Sequence, residues 1–311
     1  MEYETEGAEE SELSFFINRR IAYHDIGEPC DRRVRGGVLE LNGFESAFLG
    51  LKRQLPLSNN DDAVGADWGY FYLSGESAYL LDETDLAGYL AGGFKEFASA
   101  GEERYLGSIN RAPSGVVMVA YDDVVSIDYF GEFLKGYYLR RHTVIEALEY
   151  VYEHREAVDG ELAAFDGTLR ARAEKYGGEY LDILYASLRQ SIAAHKLVED
   201  GEGNLLFLSK ECCSNGCIAT VDVSYPSMPL YLLYNTELIK GMMRPVLKFA
   251  KLPVWKYDFA PHDAGAYPAC CGQVYGLKKE RTRSRVDLDK DGRMQTHFPL
   301  YLLPASFDAY D

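Results

Sequence analysis

Near residue 128 the apolar residues of this 311-residue chain stop falling in short β-like runs and begin to fall in helical stripes, so two differently built parts must share it. Before that point, residues 13–23, Gly37 to Leu41, Trp68 to Leu73 and Gly115 to Tyr121 are short runs rich in aromatic and β-branched residues. Turn formers separate them, as at Pro56 to Asp62 and Asn110 to Gly115, which predicts an antiparallel β-sandwich. Beyond it, Val144, Leu148 and Val151 fall at helical spacing, and Leu162, Phe165 and Leu169 do so again. Between Glu179 and Val198 the stripe Leu181, Leu184, Leu188, Ile192 predicts one helix. Asn235 stands where an N-cap belongs, ahead of Leu238, Met242 and Val246, while Pro245 inside that pattern predicts a kink or a break. The expected fold class is α+β multidomain, with a partial sandwich over residues 1–127 and an array of α-hairpins over residues 128–311.

Charge narrows the partners. Acids outnumber bases by 49 to 32, a net charge of −17, which argues against nucleic acid and against an anionic membrane surface. A neutral or zwitterionic small molecule is compatible with it. No apolar run is long enough to span a bilayer, and the acidic start from Met1 to Leu13 lacks the basic and apolar regions of a secretory signal. The chain as written is therefore expected in the cytoplasm, although a longer parent could be exported. Its six cysteines (Cys30, Cys212, Cys213, Cys217, Cys270, Cys271) show neither disulfide-scaffold spacing nor Cys-x-x-Cys, so reduced thiols and no metal site are expected. No phosphate-cradling glycine loop and no Gly-x-Ser-x-Gly elbow stands out, and no cofactor is expected.

Two polar, glycine-bearing blocks lie between the helical segments, where scaffolds commonly present their chemistry. The first is Ser209-Lys-Glu-Cys-Cys-Ser-Asn-Gly-Cys-Ile-Ala-Thr-Val-Asp-Val-Ser-Tyr-Pro226, and the second runs from Phe259 through Pro261-His262-Asp263-Ala264-Gly265 to Tyr267-Pro268. Within the first, Glu211 suits a general base, or else an exposed carboxylate paired with Lys210. Asn215-Gly216 offers an amide donor and a permissive backbone, and is equally a tight-turn dipeptide. Asp222 sits in an apolar β-like run, where a semi-buried carboxyl would serve as an acid; the alternative is a side chain accepting N–H bonds at the start of the next helix. In the second block His262 can exchange protons near neutral pH, or be held structurally in its loop. Asp263 suits a base, an acid or a clamp, and neighbouring residues point apart, so one of the pair at most is expected at the reacting atom. Tyr267, Gln273 and Tyr275 can line the same rim. A thiol nucleophile partnered by His262 is a weaker reading. Asp287-x-Asp289-x-Asp291-Gly292 imitates a calcium loop, but Phe298 stands where the bidentate glutamate belongs, so a solvated turn is expected.

Both blocks resemble the central domain of the glutaminase A family, whose members carry closely similar S-K-E-x-x-S-N-G-x-I-x-T-V-D-V-x-Y-P and F-A-x-H-D-x-G-x-Y-P runs. The similarity is strong over residues 120 to 276 and weaker back to about residue 10. It implies a β-sandwich followed by a six-hairpin α/α toroid, with Trp68 to Leu73 as a late sandwich strand and Ser126 to Phe130 as its exit. Gly177 to Tyr180, Arg189-Gln190 and His195-Lys196-Leu197 resemble the first barrel helix. The implied activity is hydrolysis of L-glutamine. Glu211 would be its base, Asp222 or Asp263 its acid, and His262 and Asn215 would position the amide, with Lys210, Tyr267 and Gln273 as further substrate contacts. Family members continue beyond the block at which this chain stops, so an incomplete toroid with exposed apolar faces, and a partner chain to complete it, are also expected. Two other functions fit the residues: a six-hairpin glycoside hydrolase acting on a sugar through two carboxylates, and a non-catalytic fragment or binding module.

Overall fold

The computed structural model describes residues 1–4, 12–23, 33–58, 67–92, 105–211, 216–273, 286–288 and 294–296. They form two compact units, the described residues within 1–59, 63–124 and 141–155 in one, and those within 125–140 and 156–311 in the other.

The first unit contains β1 (Glu2–Glu4), β2 (Leu13–Asn18), β3 (Val34–Leu41), β4 (Phe44–Leu51), β5 (Tyr70–Gly75), β6 (Ser77–Leu81), α1 (Glu83–Leu90), β7 (Tyr105–Asn110), β8 (Ser114–Val116), β9 (Met118–Asp122) and α2 (Val144–Glu153). Its main sheets run β3-β4-β5-β9 and β2-β7-β6, every pairing antiparallel. Alternation along the strands sends Ala47, Leu49, Phe71 and Leu73 of one sheet, and Ala78, Leu80 and Leu106 of the other, into one apolar cluster. Two buried serines of this interior satisfy each other, the Ser74 hydroxyl donating to the Ser46 oxygen at 2.8 Å. Thr143 and Glu146 form a capping box at the start of α2.

The second unit carries β10 (Ile127–Tyr129), β11 (Glu132–Leu134), α3 (Arg155–Ala173), α4 (Gly178–Ala193), β12 (His195–Glu199), β13 (Leu205–Ser209), α5 (Val221–Tyr234), α6 (Thr236–Ala250), β14 (Ala269–Cys270), β15 (Val286–Leu288) and β16 (Met294–Thr296). Its core is built from strands and loops as much as from helices: Ile127, Tyr129, Leu134, Val198, Leu206, Leu208, Ile218, Val246, Ala264 and Cys270 pack together.

Three local expectations change here. The helix predicted to Val198 ends at Ala193, and His195 to Leu197 lie in β12, which pairs with β13. The reason is the turn at residues 200–204, where the Asp200 carboxylate accepts the N–H groups of Glu202 and Asn204 and folds the chain back on itself. The run around Asp222 is helical, despite its β-branched residues and Pro226 and Pro229. Finally, α6 continues through Pro245 without a break. A helix-interior proline costs about 3 kcal/mol, and the burial of Met242, Pro245, Val246 and Phe249 along one stripe offsets it.

Candidate active site

The two polar blocks, separated in sequence, are joined backbone to backbone. Ile218 N–H donates to the Gly265 carbonyl at 2.8 Å and Ala264 N–H to that of Ile218 at 2.9 Å. Tyr267 N–H reaches Gly216 at 2.9 Å, and Val221 N–H, in the first turn of α5, reaches the His262 carbonyl at 2.8 Å. On the other side, Ala219 N–H bonds Ser209 at 3.0 Å and Glu211 N–H bonds Cys217 at 2.8 Å. The returning segment 216–220 thus sits between the end of β13 and the second block. Close approach is possible because Gly265 adopts φ of +143°, and a Cβ there would collide with the carbonyl oxygen of Ala269.

This zipper brings Glu211, Asp222, His262 and Asp263 to one place. His262 lies at the centre, its side chain 13% exposed. Its Nδ1 is 2.9 Å from Asp263 Oδ2, and its Nε2 is 3.7 Å from Asp222 Oδ1. Asp263 is fully buried, and its Oδ1 accepts the N–H of Gly265 at 2.9 Å. Burial disfavours the imidazolium, but the hydrogen bond to Asp263 and the negative charges of Asp263, Asp222 and Glu211 outweigh it and raise the His262 pKa above the ordinary histidine value. Three carboxylates around one imidazole therefore keep it protonated further up the pH scale.

Asp222 is not semi-buried. It occupies the first turn of α5 with a side chain 68% exposed, where its charge is favourable to the helix dipole. Glu211 is half-buried, and Thr220 Oγ1 donates to its Oε2 at 3.1 Å. Sequence reading missed Thr220. It occupies the N-cap position of α5, where a hydroxyl ordinarily accepts an N–H from the first turn; here it makes no capping bond and turns to Glu211. Gln273, expected at the rim, is buried, and its Oε1 accepts the His262 N–H at 2.7 Å. Lys210, at the end of β13, holds its ammonium 5.6 Å from the centre of the Tyr267 ring.

Asn215, Cys212, Cys213 and Tyr275 lie outside the described residues, as do Asp289, Asp291 and Gly292 of the calcium-like run. The thiols of Cys217, Cys270 and Cys271 are buried, and burial pushes those of Cys270 and Cys271 well up, which makes poor nucleophiles of them. Among the described residues no group of three His, Cys, Asp or Glu is placed to hold a metal ion, and no helix is long and apolar enough to cross a membrane.

Residues 177–295 match the family model of the glutaminase A six helical-hairpin domain. "Glutaminase A" of Aspergillus oryzae is 25% identical over 260 residues, which cover 74% of this chain and 37% of that protein. A "probable glutaminase" of Arthroderma benhamiae is 28% identical over 120 residues, 39% of this chain and 12% of that protein. The chain thus spans well under half the length of the curated relatives it matches. Both blocks of the site fall inside the matched segment, and it is through that segment that the chain is similar to the glutaminase A family.

Proposed function

We propose that this chain carries the catalytic groups of a glutaminase-type amidohydrolase, which converts L-glutamine and water into L-glutamate and ammonia. The observation that carries this reading is the convergence of Glu211, Asp222 and the His262–Asp263 pair on one backbone-zipped platform. Amide hydrolysis needs a base for water, a stabiliser for the oxyanion and a proton for the departing ammonia. Glu211 is the base: the Thr220 hydroxyl orients its carboxylate, which takes a proton from water as the water oxygen attacks the amide carbon. His262, kept protonated by its carboxylate neighbours, supplies the proton that the leaving nitrogen takes up when the carbon–nitrogen bond breaks. Lys210, beside Tyr267, is suited to the substrate carboxylate or the developing oxyanion.

The same proposal extends to architecture. The two sheets of the first unit are those of a β-sandwich, and the helices α3 to α6 of the second unit belong to a six-hairpin toroid. Further helices, supplied by a partner chain or by a longer form of the protein, would cover apolar residues that α5 now exposes, among them Tyr225, Leu232 and Leu233.

Ammonia release from L-glutamine, assayed for this chain and for Glu211→Gln, tests the reading. A loss of about 10²–10⁴-fold in kcat without change in melting temperature is expected for the variant. Equal turnover by the two would remove Glu211 from the chemistry. Should neither release ammonia, even with a version extended through the further helices, the glutaminase reading itself falls.

A further inference from the structure

Glu211, Asp222 and Asp263 differ in a way that assigns them different work. Asp222 is mostly exposed and Glu211 half-buried, whereas Asp263 is fully buried. Both Asp263 oxygens are engaged, Oδ2 with His262 Nδ1 at 2.9 Å and Oδ1 with the N–H of Gly265 at 2.9 Å. With Asp263 ionised, its carboxylate can only accept hydrogen bonds, and Nδ1 is then the donor in the first of these. The backbone of the same histidine is held as well, because Gln273 Oε1 takes its N–H and its carbonyl takes that of Val221. Nε2 is left facing the exposed side, toward Asp222.

We infer that Asp263 is a positioning residue, which never meets substrate but fixes His262 with one proton on Nδ1 and makes Nε2 the nitrogen that exchanges protons. The first part stands on geometry alone; the exchange with an amide nitrogen rests on the amidohydrolase reading above. In the proposed cycle Nε2–H passes its proton to the leaving nitrogen, which departs as ammonia with the bonding pair, and the neutral ring left behind keeps its proton on Nδ1. Deprotonation of the attacking water, assisted by Glu211, balances the proton lost. The charges that face the imidazole are Asp263 on its own loop, Asp222 on α5 and Glu211 at the end of β13, so removing any one of them should lower its basicity.

The test is a nitrogen-15 NMR titration of the whole chain, with the His262 signals identified by their loss in His262→Gln. Above its pKa, His262 is expected to carry its proton on Nδ1 and none on Nε2. Neutral His262 protonated on Nε2 would overturn the inference in the unaltered protein, with no variant needing to fold. In Asp263→Asn, which keeps an acceptor and loses the charge, His262 should titrate at lower pH. Its kcat for glutamine should fall on the order of 10²-fold at little change in KM, and the alkaline limb of its activity profile should move the same way. An unmoved titration in a folded variant would also overturn it. Absence of glutamine turnover in the unaltered protein and in its extended version, with Nδ1–H in place, would cancel the amide reaction and leave the Asp263–His262 arrangement standing.

Discussion

Two consecutive helices of the second unit are written in opposite ways. In α6, Gly241, Met242, Pro245, Val246 and Phe249 are buried along one stripe, while Glu237 and Lys240 pair on the solvent side. Its one face is satisfied. By contrast, α5 is apolar nearly all round, yet only Ser224 and Tyr231 are buried, and Tyr225, Leu232 and Leu233 stand 71%, 63% and 67% exposed. A helix apolar on every side is ordinarily an interior helix. The difference teaches that α6 is finished by the contacts it makes here, whereas the sequence of α5 is suited to neighbours on two sides.

The sharpest way to break this contrast is a pair of truncations. Met242→Ala should cost about 2–5 kcal/mol, whereas Leu232→Ser should stay within about 0.5 kcal/mol, both read from urea unfolding. Comparable losses at the two positions would abolish the distinction. Next in size comes Gly265→Ala, which forces a side chain into a left-handed backbone and against Ala269; more than about 1 kcal/mol should be lost. An unchanged midpoint there would mean that the block anchoring the first turn of α5 is not tightly fitted. Asn235 ends one helix and begins the other, and its side chain accepts the Glu237 N–H at 3.1 Å. Asn235→Ala should therefore cost about 1 kcal/mol, and a null effect would show that α6 starts without its cap.

The smallest expected effect is a pH dependence. His262 binds its proton more tightly folded than unfolded, so its contribution to stability is complete below its unfolded value of about 6.5 and is lost as pH rises through the higher folded value. His195, stacked on Phe207 and desolvated by burial, has the opposite shift and gains stability over the neighbouring range as pH rises. Only a difference isolates the first. Urea midpoints of the unaltered protein minus those of His262→Gln should be largest near pH 6 and shrink toward pH 9, and a flat difference would contradict the charge arrangement around the imidazole.

Legibility followed the range of the forces involved. The α6 stripe and its Asn235 cap are local, and they were readable from spacing alone. So was Glu211 as a candidate, because a carboxylate in a glycine-bearing loop announces itself. The helix around Asp222 was not readable: Val221, Val223 and Pro226 favour other backbones locally, and the bond from Val221 to His262, 41 residues distant (262 − 221), starts the helix. The same holds for His195, where a helical stripe ends and a hairpin closed by Asp200 takes over. The Thr220 hydroxyl was invisible for a related reason, since its position spelled a cap and only the fold turned it to Glu211.

The hydrogen bond between Val221 and His262 has one more consequence. At 2.8 Å it is a well-formed main-chain hydrogen bond, and it ties the first turn of α5 directly to the backbone that carries the imidazole. A load on the exposed flank of that helix would reach His262 through this main-chain hydrogen bond, with no side chain needed to carry it.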